Sequence, residues 1–515
     1  MNVRSIFVAS VAVGCALTLF AHGGQRAAEA ARGMRVVRAA DGQSLLLPVE
    51  GGTYLLRQSV ASLSVFPQPA ALNNPTSPSG NTGAQTFTVT VKTNGSAMER
   101  RPSGSSSVTV SVYGPPGAVT PTSQSVPLNG NAATATFTYN GTYFQSPMTV
   151  AATLDNGSMT APIFLSNALP CTYGNGAAYK VHETNPLKYG PSGGFHLRMS
   201  VAGGEVRGVQ LDTGSTGFLI AASALAKSNK QEMVGPGQIG FETLEPSGIT
   251  LVGHYWLAPV TLIDPGQDKT IDQTIPMEIL SVEFSCAPSQ PCQPETKGRR
   301  GTALMGVGFG RPTPPPGQVY IKTPLENVFL QLQDVVEGNV QPGYILANDH
   351  LWLGLNHQDT RNFKPSSFVQ LQPDTDRPGD WNGPPGCLNF NGSGFQCGSL
   401  LVDIGIDSIL ASGFTTPSPL TQVNVVAPNP SQAALAYGFP YPVPSDATPP
   451  APDPNGIAQG QAIEWIPAPG STPFVNVGRD PIAAADYLYD SGCGLVGFGT
   501  PSKSGGPDAN GLTER

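Results

Sequence analysis

Between residues 59 and 168, apolar and polar side chains alternate with a period of two. Thr86 to Val91 reads TFTVTV, Ser107 to Val112 reads SVTVSV and Ala133 to Tyr139 reads ATATFTY. Shorter runs occur at Leu63 to Phe66, Met148 to Leu154 and Ala161 to Leu165. A period of two sends every second side chain to the same face, so each run predicts a strand with one face buried. Gly, Pro and Asn clusters between the runs predict turns.

Short strands at this spacing predict an immunoglobulin-like β-sandwich over residues 59–168. It carries no catalytic constellation and reads as a spacer or adhesion module. From Cys171 to about Thr500 the texture changes to continuous apolar runs, longer loops and more aromatics. One helix is predicted there, with Thr323 as N-cap, Pro324 at the first helical position, and Leu325, Val328, Phe329 and Leu332 on one face. Residues 311–317 and 442–454 are Pro-rich and predict surface loops, and residues 501–515 predict a disordered tail. Residues 31–58 carry Arg32, Arg35 and Arg38 ahead of Leu45, Leu46 and Leu47. They predict a linker with one strand, the alternative being a short basic pro-segment that pairs with an acidic site until the pH falls.

Composition narrows the classes. Gly (61) and Pro (51) make up more than a fifth of the 515 residues, and only 12% are charged, with a net charge of −8. Long helical bundles tolerate little Gly or Pro, and nucleic-acid binding needs a cationic field, so both are excluded. Arg4 followed by the uncharged stretch Ile6 to Ala21 predicts a signal peptide over residues 1–30, with cleavage after Gly23 or Ala30. Lipid anchoring at Cys15 is disfavoured because Ala12 is a poor residue for that motif. The chain is therefore expected to be secreted or periplasmic, with no transmembrane anchor. Of the six cysteines beyond the signal, fifteen pairings are possible. Spacing favours Cys286 with Cys292 and Cys387 with Cys397, each closing a small loop, which leaves Cys171 for Cys493.

The chemistry concentrates in two segments. Gly208 to Ile220 reads GVQLDTGSTGFLI: an apolar strand, then Asp212, then a turn with Thr213, Gly214 and Ser215. Ser399 to Leu410 reads SLLVDIGIDSIL, the same grammar around Asp403 and Gly405. An Asp at a strand end before a Gly turn is presented outward, with neighbouring donors ready to bond the carboxylate. The six His are scattered without ligand spacing, no HExxH run or nucleophile elbow occurs, and no metal or cofactor is implied.

This pairing resembles the pepsin-like aspartic peptidases, whose two similar β lobes each supply one Asp to a shared cleft. Further segments follow in the family's order. Ala303 to Gly310 and Val475 to Asp480 look like its two apolar-Gly elements, the helix after Thr323 follows the first of them, and Tyr344 to Asn356 looks like the start of the second lobe. Tyr487 to Asp490 with Gly494 to Phe498 looks like the closing strands. The resemblance covers residues 171–500. It implies an all-β bilobal domain with a first lobe at about 171–335 and a second at about 336–500, and a bridge from Cys171 to Cys493 joining its first and last strands. It also implies a catalytic dyad of Asp212 and Asp403 supported by Thr213, Gly214, Ser215 and Gly405, and a monomer that takes a polypeptide in extended conformation. The flap is expected over residues 238–262, with Phe241 where a Tyr is usual and Tyr255 as a substitute hydroxyl. The second motif departs from the pattern. Ile404 and Ile406 stand where hydroxyl residues are expected, and Asp407 adds charge. Loss of a donor at Ile406 predicts raised dyad pKa values and a mildly acidic to neutral optimum. The alternatives are a pepsin-like pseudoenzyme that binds a polypeptide or glycan, and a surface adhesion protein.

Overall fold

The computed structural model describes residues 37–38, 44–50, 52–57, 62–69, 71–73, 81–94, 107–141, 148–154, 157–165, 173–182, 194–244, 247–264, 269–288, 290–295, 301–310, 326–347, 350–374, 379–440, 463–466, 472–479, 481–482 and 485–500. The signal, the 311–325 segment, the tail and Cys171 lie outside them. The protein is nearly all β. Two helices of four residues, Ala222–Leu225 and Gln333–Val336, are the α-helical elements named among the described residues.

The alternating runs form strands as their period dictates. Ser107–Tyr113 and Ala132–Tyr139 bury every second residue, so Val and Phe point inward and Thr and Ser outward. A four-stranded and a five-stranded sheet result. Their apolar faces share one core that includes Phe87, Val110, Phe137 and Val150, with Phe87 stacked on Phe137 across adjacent strands.

Residues 31–58 depart from the expected linker with one strand. Val37–Arg38, Ser44–Val49 and Gly52–Arg57 pair as a three-stranded antiparallel sheet. Leu47 and Leu56 on this sheet pack against Ile239, Val252, Cys286 and Cys292, and the Cys292 N–H donates to the Pro48 carbonyl at 2.5 Å. Two neighbouring strands with buried leucines gain from pairing and docking what a lone strand could not, because a single edge strand leaves its backbone groups unpaired.

The remainder is built on three sheets. One carries ten strands drawn from residues 196–307, another seven strands from residues 385–476, and six antiparallel strands join them: Tyr179–His182, Gly343–Leu346, His350–Leu353, Phe368–Gln370, Asp486–Asp490 and Leu495–Gly499. The ten- and seven-stranded sheets repeat one topology. In the first, Arg207–Asp212 runs parallel to Ala303–Val307, which is antiparallel to Thr216–Ala221, itself parallel to Met277–Cys286. In the second, Phe395–Leu401 runs parallel to Phe474–Asn476, which is antiparallel to Ile409–Ser412, itself parallel to Ile463–Ile466. Even the register agrees, with Leu219 opposite Leu304 in one half and Leu410 opposite Asn476 in the other. Apolar side chains from all three sheets merge into one large core.

The helix expected from Thr323 through Leu332 does not form over its described part. Thr323, Pro324 and Leu325 lie outside the described residues, and the rest is a 3-10 turn at Val328–Leu330 followed by the short helix Gln333–Val336. Asn327 breaks the periodicity: its side chain accepts from the Phe329 N–H at 3.0 Å and donates to the Val307 carbonyl at 2.8 Å. Leu332 then takes an extended conformation as the next N-cap. Tertiary bonds to the first half override local helix preference here.

Disulfides join Cys286 to Cys292 and Cys387 to Cys397. Cys493 is disulfide-bonded, and its expected partner Cys171 lies outside the described residues. Among the described residues no helix is long and apolar enough to cross a membrane.

Candidate active site

Asp212 is the last residue of Arg207–Asp212, and Asp403 follows Phe395–Leu401 by two positions. Each strand is pinned by its parallel neighbour, so each chain leaves the sheet at a fixed point and turns toward the other half. The turns meet there. A Cβ on Gly214 would stand 2.2 Å from Asp403 Cγ, and one on Gly405 would stand 2.6 Å from Asp212 Oδ1 and 3.0 Å from Asp403 Oδ1. Only glycine fits at either place, and the Cβ position of Gly405 lies within 3.0 Å of the inner oxygens of both carboxylates. The sequence-predicted Asp212, Thr213, Gly214, Ser215, Asp403 and Gly405 are thus brought together.

Both carboxylates are held in the same way. The Gly214 N–H donates to Asp212 Oδ1 at 2.6 Å, and the Gly405 N–H donates to Asp403 Oδ1 at 2.9 Å. The outer oxygen of Asp212 accepts from the Ser215 hydroxyl at 2.6 Å. The outer oxygen of Asp403 accepts from Asn476 Nδ2 at 2.7 Å. Asp212 is 8% exposed and Asp403 5%, so these bonds replace water that burial has removed.

Asn476 corrects one expectation: Ile406 does not leave Asp403 short of a side-chain donor, because Asn476 supplies one from the neighbouring parallel strand. Sequence reading missed Asn476 because it sits inside an apolar run far along the chain. The polar residue among Phe474, Val475, Asn476 and Val477 was the available signal.

Thr213 bridges the halves. Its hydroxyl donates to the Val402 carbonyl at 2.8 Å and accepts from the Ile404 N–H at 3.1 Å. Ile404 has no hydroxyl to return the contact and is fully buried in the main core. A second crossing comes from Gln210, whose Nε2 donates to the Gly405 carbonyl at 3.3 Å. Behind the second turn, the Asp403 N–H donates to the Gly478 carbonyl, and buried Arg479 donates through Nε to the Ile406 carbonyl at 3.1 Å.

The expected flap is a hairpin, Ile239–Leu244 paired with Ile249–Ala258, with turn residues 245–246 outside the described set. Its two singled-out side chains are packed within the fold. Phe241 lies against the cluster of Leu47, Leu56 and Val252. Tyr255 is buried with Leu219, Leu251 and Leu304, its ring stacked over Gly240. Among the described residues no group of His, Cys, Asp and Glu is arranged to hold a metal ion. No known family model matches the chain, and no curated protein matches it.

Proposed function

We propose that the protein is an exported aspartic-type endopeptidase of pepsin-like build, working in the medium or the periplasm, with Asp212 and Asp403 as its dyad. The observation that carries this reading is the meeting of two carboxylates at the turns of two sheets of the same topology, with the inner oxygens of both within 3.0 Å of the Gly405 Cβ position. In the proposed mechanism the two carboxyl groups share one proton, one acting as base and the other as acid. The charged member takes a proton from a water lying between them as the water attacks the peptide carbonyl. The protonated member gives its proton to the carbonyl oxygen, so the tetrahedral intermediate forms without a covalent bond to the enzyme. The titration belongs to the pair. A peptide lying extended beside the 239–258 hairpin would offer its backbone to strand-like bonds and its alternate side chains to subsites.

Digestion of a mixed peptide library from about pH 3 to about pH 8 tests the reading. The wild type is expected to cut internal bonds and Asp212→Ala to leave the library intact. Silence from both proteins across that range would favour a non-catalytic polypeptide binder.

A further inference from the structure

The two halves solve one problem with exchanged side chains. In the first, Ser215 follows the Asp by three positions and bonds its outer oxygen, while the residue at the matching register of the parallel strand is Leu304. In the second, the follower is Ile406, and the register position opposite Leu410 holds Asn476, which makes the bond. Polar and apolar residues have changed places, and the donor has changed from a hydroxyl to an amide.

That change has a chemical consequence. A hydroxyl donates or accepts, so Ser215 can pair with Asp212 in either protonation state. An amide NH2 only donates. The orientation of Asn476 is fixed by its other end, because its Oδ1 accepts the Gly478 N–H at 3.0 Å. Asp403 Oδ2 must therefore remain an acceptor; the inner oxygens of both carboxylates receive a Gly N–H alike, from Gly214 and Gly405, so the two sides differ at the outer oxygens. Building on the proposed peptidase reading, we propose that Asn476 is a positioning residue that makes Asp403 the charged member of the dyad and leaves the shared proton with Asp212. Asp403 then takes the proton from water, and Asp212 protonates the substrate carbonyl.

Among the described residues, charged groups near Asp403 include Asp212 across the interface, partly exposed Asp407 on the same turn, and buried Arg479, which bonds the Ile406 carbonyl. The test leaves all three unchanged. Asn476→Leu reproduces the Leu304 position, and Asn476→Leu with Ile406→Ser reproduces the whole first-half arrangement. Loss of a donor to an ionised carboxylate raises its pKa. The acid limb of the kcat/KM profile of Asn476→Leu is therefore expected to move up by about one pH unit, with about a 10-fold loss of kcat/KM below the new limb. Adding Ile406→Ser is expected to bring the limb back. Thermal melting of both variants reports any loss of fold, which by itself would lower activity without moving the limb. Difference infrared titration of the carboxyl stretch, assigned with Asp403→Asn, reads the same shift without substrate. It therefore separates this proposal from the peptidase reading, which falls if the wild type cuts nothing. An Asp403 titration unchanged by Asn476→Leu, or a limb that Ile406→Ser fails to restore, would overturn the assignment.

Discussion

Thr213→Val removes the hydroxyl that ties the two halves at the dyad while keeping the side-chain volume. The Val402 carbonyl and the Ile404 N–H both lose the partner they have at 2.8 and 3.1 Å. Val402 and Ile404 are buried, so water cannot take over without opening the interface. A buried polar group left without its bond costs about 1 to 3 kcal/mol, and two of them share one hydroxyl, so we expect a loss of about 2 to 4 kcal/mol. Gln210 limits the damage to the lower part of that range by holding the Gly405 carbonyl. Urea unfolding reads the loss as a lower midpoint with an unchanged slope. Thr213→Ser keeps the hydroxyl and is expected to lose less than about 1 kcal/mol. Activity is expected to fall further than stability, by about 100-fold, because a shift of about 1 Å between the carboxylates spoils their common reach. A Thr213→Val protein that unfolds at the wild-type midpoint and keeps its kcat/KM would refute the claim that this hydroxyl clamps the halves.

Three other outcomes follow from the geometry. Burial pushes the Glu278 carboxyl, which is bonded by Thr160 of the sandwich, from 4.5 up to about 7. The folded state then holds that proton more tightly than the unfolded chain. The resulting stabilisation, of order 3 kcal/mol, is complete below about pH 4.5 and is lost as pH rises through about 7. Half-buried Asp272 and buried Asp490, both raised to about 6 chiefly by desolvation, act with the same sign. Glu278→Gln should flatten part of the fall in melting temperature across that window, and a wild-type melting temperature that climbs with pH would contradict it. Replacing Cys286 and Cys292 with Ser removes a short-loop crosslink worth about 2 kcal/mol beside the Pro48 contact. Limited proteolysis should then nick residues 44–57 before the rest unfolds, and equal resistance of both proteins would count against that docking. Ser215→Ala deprives Asp212 of its outer donor, so the pH-rate profile should shift and kcat/KM should fall about 10- to 100-fold, whereas an unchanged profile would mean that the hydroxyl does not serve the carboxylate.

The sequence was most legible where a local pattern and a tertiary role coincide. Alternation in Ser107–Tyr113 and Ala132–Tyr139 revealed these strands because a half-buried strand has no other way to sort its side chains. The Asp-x-Gly turns were legible because only glycine tolerates a carboxylate at its Cβ position, as at Gly214 and Gly405. What stayed hidden depends on contacts between distant segments. Asn476 reaches Asp403 across 73 residues, through a parallel pairing that local pattern cannot announce. The docking of Leu47 and Leu56 onto the 239–258 hairpin is of the same kind, as is the interruption of the expected helix by the bonds of Asn327. Phe241 was expected at the flap because of its place in the hairpin; its half-buried packing against Leu47 and Leu56 of the sheet from residues 37–57 could not be read locally.

The central claim is that Asp212 and Asp403 act as one unit on a single water. Its most direct test is the initial rate on the best-cut peptide for the wild type, Asp212→Asn and Asp403→Asn, with native melting checked for each. Members of one catalytic unit are each indispensable, so both variants should lose at least about a thousandfold in kcat/KM, and the double variant should lose little more than either. A single variant that keeps more than about a tenth of wild-type activity, or losses that multiply in the double variant, would contradict the shared dyad.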